Sequence, residues 1–120
     1  MVDELDTHVG FHGDGYRRIN LDCSQNAVTA WEIVKEWKSL PLSDPLEEVM
    51  YEGEDGGYHF AERAMWPTFE NGVYKFVDRQ ADPGEDRGDD SALLGRYSFN
   101  FSIAVYDMDS DFLYYFEMDT

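Results

Sequence analysis

Five residues near the C-terminus, Asp107-Met108-Asp109-Ser110-Asp111, place carboxylates at alternate positions, as a loop that wraps a calcium ion does. An EF-hand frame needs glycine at its sixth position and a bidentate acid at its twelfth. Counted from Asp107, those positions hold Phe112 and Met118, so the frame fails at both and the segment reads as a polar hairpin turn. His8 and His12 have the i, i+4 spacing of two metal ligands on a helix, but Gly10, Gly13 and Gly15 argue against a helix there. His59 stands alone on a strand-like segment. Cys23 precedes a helical pattern, where the backbone dipole favours thiolate. It also falls on the apolar side of its own strand, beside Asp22, which opposes ionisation, and a nucleophile needs a base within reach. The expectation for Cys23 is a small buried residue. The chain has no glycine-rich phosphate loop, no G-x-S-x-G and no Cys/His cluster. Nothing in these residue types points to an enzyme, a metal or a cofactor.

What the residue types do carry is charge. Against 26 acids stand 9 bases, a formal charge of −17, where a magnitude of about 2–8 suffices to keep a small domain soluble. An excess of this size destabilises a compact state and disfavours nucleic acid and membranes as direct partners, while steering basic proteins into encounter. The acids fall in three runs. Asp44, Glu47, Glu48, Glu52, Glu54, Asp55 and Glu62 lie between Lys38 and Arg63 with no base among them. Asp78, Asp82, Glu85, Asp86, Asp89 and Asp90 share their stretch with Arg79 and Arg87, and Asp107, Asp109, Asp111, Glu117 and Asp119 follow Arg96 with no base at all. Carboxylates at i and i+2 of an extended segment stand ~6.6 Å apart, from ~3.3 Å per residue. That is of the order of the spacing of successive phosphates along a nucleic-acid strand. The 107–111 turn is therefore a candidate phosphate track, with Tyr106, Tyr115 and Tyr51 as exposed aromatics that anchor an interface or stand in for bases.

Positioning these residues falls to a single domain of α+β class. A hydrophobic fraction of 42% with 16% aromatics decides against a disordered acidic chain. Residues 1–15 read as an irregular lead-in. Over 16–23, Ile19, Leu21 and Cys23 alternate with Arg18, Asn20 and Asp22, predicting a half-buried strand with the first set inward. Ser24 is placed to cap a helix over 25–39, whose broad apolar side holds Ala27, Ala30, Trp31, Ile33, Val34, Trp37 and Leu40 before Pro41 stops it. Asp44-Pro45-Leu46-Glu47 starts a short second helix, about 45–52, with Asp44 as cap and Gly53 as its end. Strands follow near 58–65 and over 73–79, then a long acidic loop, 80–94. The last pair is the clearest. Tyr97, Phe99, Phe101, Ile103 and Val105 alternate with polar or small residues, as do Phe112, Tyr114, Phe116 and Met118 after the turn. The order β-α-α-β-β-β-β implies an antiparallel sheet of about five strands with one long and one short helix on one face.

In composition and size the chain resembles the small acidic anti-restriction, anti-CRISPR and DNA-glycosylase-inhibitor proteins of phages. The resemblance implies a nucleic-acid mimic that inhibits a basic nucleic-acid-binding protein, a nuclease or a defence effector complex. Two other readings fit the same composition: an immunity protein that neutralises a nuclease toxin, and an acidic-surface protein of a salt-adapted organism, which the scarcity of lysine suits. With a single cysteine, no basic-then-apolar leader and no apolar run of membrane-spanning length, the expected location is the cytoplasm, the host's if the chain is phage-encoded. An exposed sheet edge leaves a homodimer open.

Overall fold

The computed structural model describes residues 2–7, 15–51, 60–80, 84, 86–90, 93 and 99–119. Its fold is α+β, built on a six-stranded antiparallel sheet. The strands are β1 (Val2–Asp6), β2 (Gly15–Asp22), β3 (Lys38–Ser39), β4 (Gly72–Asp78), β5 (Asn100–Asp107) and β6 (Phe112–Asp119). They lie in the order β1-β2-β6-β5-β4-β3. The helices are α1 (Ala27–Val34), entered through a 3-10 turn over Ser24–Asn26, α2 (Asp44–Met50) and α3 (Phe60–Ala64).

The hairpin of β5 and β6 sits at the centre of the sheet, and its alternation reads directly into two faces. On the first face, Phe101, Ile103 and Val105 meet Met118, Phe116 and Tyr114 across β6, and Asp78, Phe76 and Tyr74 across β4. Leu46, Val49 and Met50 of α2, Phe60, Ala61 and Ala64 of α3, and Trp66 cover that face, and most of these side chains are fully buried. Phe60, Phe101 and Phe116 stand with ring centroids 6.1–6.2 Å apart, forming the aromatic centre of the core. Each such ring contributes about 1.5–3 kcal/mol by leaving water.

Among the described residues, the cover of the second face extends over only part of its length. Its first row across the sheet is Val73, Tyr106, Leu113 and Leu21. Ala30, Trp31 and Val34 of α1, with Trp37, pack there. The next rows, Lys75-Ala104-Tyr115-Ile19-Glu4 and Val77-Ser102-Glu117-Arg17-Asp6, lie beyond this cluster. The long and the short helix therefore sit on opposite faces, rather than together on one as the element order suggests.

Several local expectations change with this arrangement. Residues 2–6 form an edge strand, held by Arg17 and Arg18 of β2 pairing with Glu4 and Asp3. On β2 one residue of the expected outward set turns inward, while Cys23, just past the strand, is buried as the alternation predicts. Arg18 lies on the first face with 6% of its surface exposed, donating to the Ala64 carbonyl (3.1 Å), while Ile19 and Leu21 are half-buried on the second. Ser24 is not the cap but the first residue of the 3-10 turn, whose cap position is Cys23; the Ser24 N–H donates to Asp22 Oδ1 at 2.9 Å. The segment ends at Val34, so Ile33 projects outward with 71% exposure, and Leu40 joins the core of the other face. Residues 60–64 are helical because Phe60, Ala61 and Ala64 present an i, i+1, i+4 stripe to the sheet. Residues 8–14, the acidic 52–59 segment and much of the 80–94 loop lie outside the described residues.

Candidate protein-binding surface

The described arginines are largely spent on the fold. Arg17 Nε lies 2.8 Å from Glu4 Oε1, and an Arg18 guanidinium nitrogen lies 3.0 Å from Asp3 Oδ2. Arg79 pairs with Asp119 at 2.8 Å and also donates to Ser102 Oγ and to the Phe101 and Met118 carbonyls. These bonds tie β1 to β2 and close one end of the central hairpin. Acids elsewhere are left to gather.

One gathering centres on α2. Leu46, Val49 and Met50 face the core, which turns Asp44 and Glu48 outward, with Glu47 half-buried beside them. The helix begins at Asp44, and Ser43 takes the cap position without bonding the backbone through its side chain. Its hydroxyl instead donates to Asp90 Oδ2. That bond joins two runs separate in the sequence, bringing Asp90 to the start of α2, where Asp44 stands with Glu47 and Glu48 one turn on, while the Asp89 N–H donates to the Asp86 carbonyl (3.1 Å). Among the described residues no Lys or Arg pairs with Asp44, Glu48 or Asp90. Asp86 belongs elsewhere. Its Oδ1 accepts the Gly88 N–H (2.8 Å), and it lines a cleft of about 500 Å3 at the β4 edge with Glu36, Trp37, Lys38, Lys75 and Arg87. Tyr51 is no exposed anchor, since its hydroxyl donates to the Pro67 carbonyl and burial, then Glu47, pushes the phenol pKa up. Glu52, Glu54 and Asp55 lie outside the described residues.

The second gathering is the β5–β6 turn, and here the extended phosphate track is corrected. The Asp111 N–H donates to the Asp107 carbonyl at 2.8 Å, and Asp111 has a φ of +56°, so the chain closes on itself. Asp107 accepts the Asp109 N–H (3.1 Å) and the Ser110 hydroxyl (2.7 Å). Asp109 is exposed, with the Asn71 amide 3.4 Å away. Tyr106, expected at the surface, is 2% exposed because α1 covers its row of the sheet. Its hydroxyl donates to Asp111 Oδ1 at 3.0 Å, and burial together with that carboxylate raises the phenol pKa to about 12.

Tyr115 and Glu117 lie on the open part of the second face. The Tyr115 hydroxyl donates to Glu117 Oε2 (2.8 Å) and stands 3.1 Å from the Ser102 hydroxyl, which Arg79 Nε contacts. Burial raises the Tyr115 phenol, and the cross-strand neighbour of Glu117 is Arg17. Both residues serve a polar network spanning the sheet, rather than standing free.

The acidic groups do not form one site. At one end of β4 the Asp78 N–H donates to the Arg87 carbonyl, and at the other Gly72 pairs with Asp107. Six residue steps at ~3.3 Å each put the two acidic ends ~20 Å apart.

The turn end also holds a feature the acidic pattern gave no reason to expect. Ala27, Val28, Trp31, Tyr106, Met108 and Asp111 line a groove of about 300 Å3. Val28 is 80% exposed and Met108 42%, in a chain that buries most of its large apolar side chains. The available signal was Val28 itself, an apolar residue lying off the buried stripe of its helix. Cys23, below this groove, is buried; burial first, then Asp22 and Asp111, pushes its thiol pKa up. Among the described residues no three His, Cys, Asp or Glu side chains are grouped to hold a metal, and His8, His12 and His59 fall outside them. No described helix is long and apolar enough to cross a membrane.

The chain matches no family model, no curated protein and no solved structure.

Proposed function

We propose that this protein is a non-enzymatic inhibitor that binds a basic nucleic-acid-handling protein, a nuclease or a defence effector complex, by offering carboxylates in place of phosphates. The observation that carries the reading is the segregation of charge. Arg17, Arg18 and Arg79 are committed to intramolecular pairs, while the Ser43–Asp90 bond brings Asp90 to the start of α2, the helix that carries Asp44 and Glu48 on its outer side. Phosphate-like spacing belongs to α2, where side chains at i, i+3 and i+4 have Cβ atoms ~5–6 Å apart. It does not belong to the closed 107–111 turn.

Such a partner meets this surface as it meets a nucleic-acid backbone, so encounter is fast and falls with ionic strength. The test is capture from a lysate followed by association kinetics with the purified basic nuclease or effector that is recovered. Association should slow several-fold between low and high salt, and inhibition should be relieved by competing nucleic acid. Affinity indifferent to salt, or recovery of acidic metabolic enzymes alone, overturns the reading.

A further inference from the structure

We infer that the groove between α1 and the Asp107–Asp111 turn docks one large aliphatic side chain carried on a Lys/Arg-rich segment of the basic partner. This rests on the reading above and names where the partner is held. The floor is Trp31 and the Tyr106 ring, and the walls are Val28 on α1 and Met108 on the turn. A volume of about 300 Å3 takes a leucine or methionine side chain and leaves its backbone outside. Val28 remains largely, and Met108 partly, in water in the free protein, which is unfavourable unless something covers them.

Charge selects the occupant. Among the described residues, the only ionisable side chain lining the groove, apart from the buried Tyr106 phenol, is the Asp111 carboxylate, and no Lys or Arg lines it. Asp107 and Asp109 stand in the same turn, and Asp22 precedes the adjoining helical segment, its pKa lowered below the usual carboxylate range by its bonds to Ser24. Lys35, at the far end of α1, is paired with Glu32. A second copy of this chain, itself at −17, is repelled from such a rim, and so are nucleic acid and anionic lipid. A segment that sets an apolar residue between lysines or arginines satisfies both walls and rim. The two acidic ends then divide the work: the α2 patch contributes to the rate of encounter, and the groove sets the rate of release.

The test uses the full chain and three short synthetic peptides. One carries a leucine flanked by lysines, the second has serine in place of that leucine, and the third keeps the leucine but has glutamine for lysine. The lysine–leucine peptide should bind about tenfold tighter than the serine peptide, as burial of one aliphatic side chain predicts, and several-fold tighter than the glutamine peptide through its attraction to the acidic rim. Its NMR shifts should centre on the Val28 and Met108 methyls and the Trp31 indole. Val28→Ser and Met108→Gln, both at exposed positions, should erase the preference for leucine while leaving circular dichroism unchanged. Equal binding of the leucine and serine peptides overturns the inference, as does equal binding of the glutamine peptide. Shifts centred on Asp44, Glu48 and Asp90 also overturn it, but leave the acidic-surface reading standing. Salt-independent binding of both lysine peptides removes that reading and the groove together.

Discussion

Tyr106 and Asp111 are joined by a 3.0 Å hydrogen bond from the buried phenol to a carboxylate of the hairpin turn. The bond fixes the floor of the groove to its rim and gives the turn a pH response. The Tyr106 pKa rises from an ordinary value near 10 to about 12 in the fold, because burial and Asp111 both disfavour the phenolate. A raised pKa means that its stabilisation is complete below about pH 10 and is lost as pH climbs towards about 12. Tyr106→Phe should lower stability by about 1 kcal/mol at neutral pH, and the gap should shrink above pH 10. Urea unfolding across that range measures it.

Gly72 opens β4 opposite Asp107, where a Cβ would fall 2.1 Å from the Tyr106 carbonyl oxygen. The contact is with backbone inside a paired strand, so it cannot be relieved by a rotamer change. Gly72→Ala should destabilise the protein by about 2 kcal/mol or more and loosen the β4–β5 register near the turn. Thermal unfolding with amide exchange at Val73 and Tyr106 reads both effects.

The acidic patch on α2 works against the fold and in favour of encounter. The triple change Asp44→Asn, Glu48→Gln and Asp90→Asn should raise the unfolding midpoint slightly, by a few tenths of a kcal/mol, because like charges at i, i+4 are separated from any base. In the same protein, association with the captured basic partner should slow about threefold to tenfold at low salt and converge with wild type at high salt. Stopped-flow kinetics at two ionic strengths distinguishes this from a change in dissociation.

Arg79 closes the far end of the central hairpin through Ser102, two carbonyls and Asp119. Arg79→Ala strands these acceptors, and should cost about 2–3 kcal/mol with little effect on the turn 20 Å away (approximate, from the strand rise). Denaturant unfolding gives the first number, and unchanged Met108 methyl shifts check the second.

Cys23 should behave as a packed residue. Its thiol is buried and its pKa raised, so alkylation of the native protein should be slow and limited by opening of the structure. Cys23→Ala should cost about 1 kcal/mol and leave partner binding unchanged, as titration calorimetry would show.

Strands with one apolar set were legible from the sequence: the alternation of Phe101, Ile103 and Val105 against Phe116 and Met118 is the observed core face. So was α2, from its Asp-Pro start and the Leu46, Val49, Met50 stripe. What stayed hidden depends on covering both faces. Once α1 lies on the second face, Tyr106 is buried as surely as Val105, and no period-2 rule says which face a helix will choose. The same ambiguity turned Arg18 inward, where the Ala64 carbonyl and Asp3 meet its guanidinium. β1 is invisible to hydrophobic patterning because ion pairs with Arg17 and Arg18 help to hold it. The groove was missed for a related reason: acids drew attention to the turn, while Val28 and Met108 are notable only once the fold leaves them outside.

The sheet's two outer strands carry one more consequence. β1 lines its edge with Asp3, Glu4 and Asp6, all exposed, and β3 is only two residues long. Two molecules approaching along β1 would set these acids against each other, with Arg17 and Arg18 offsetting part of the charge, an arrangement that disfavours edge-to-edge pairing. The charges that fasten β1 to the sheet are the same ones that discourage a further strand from joining it.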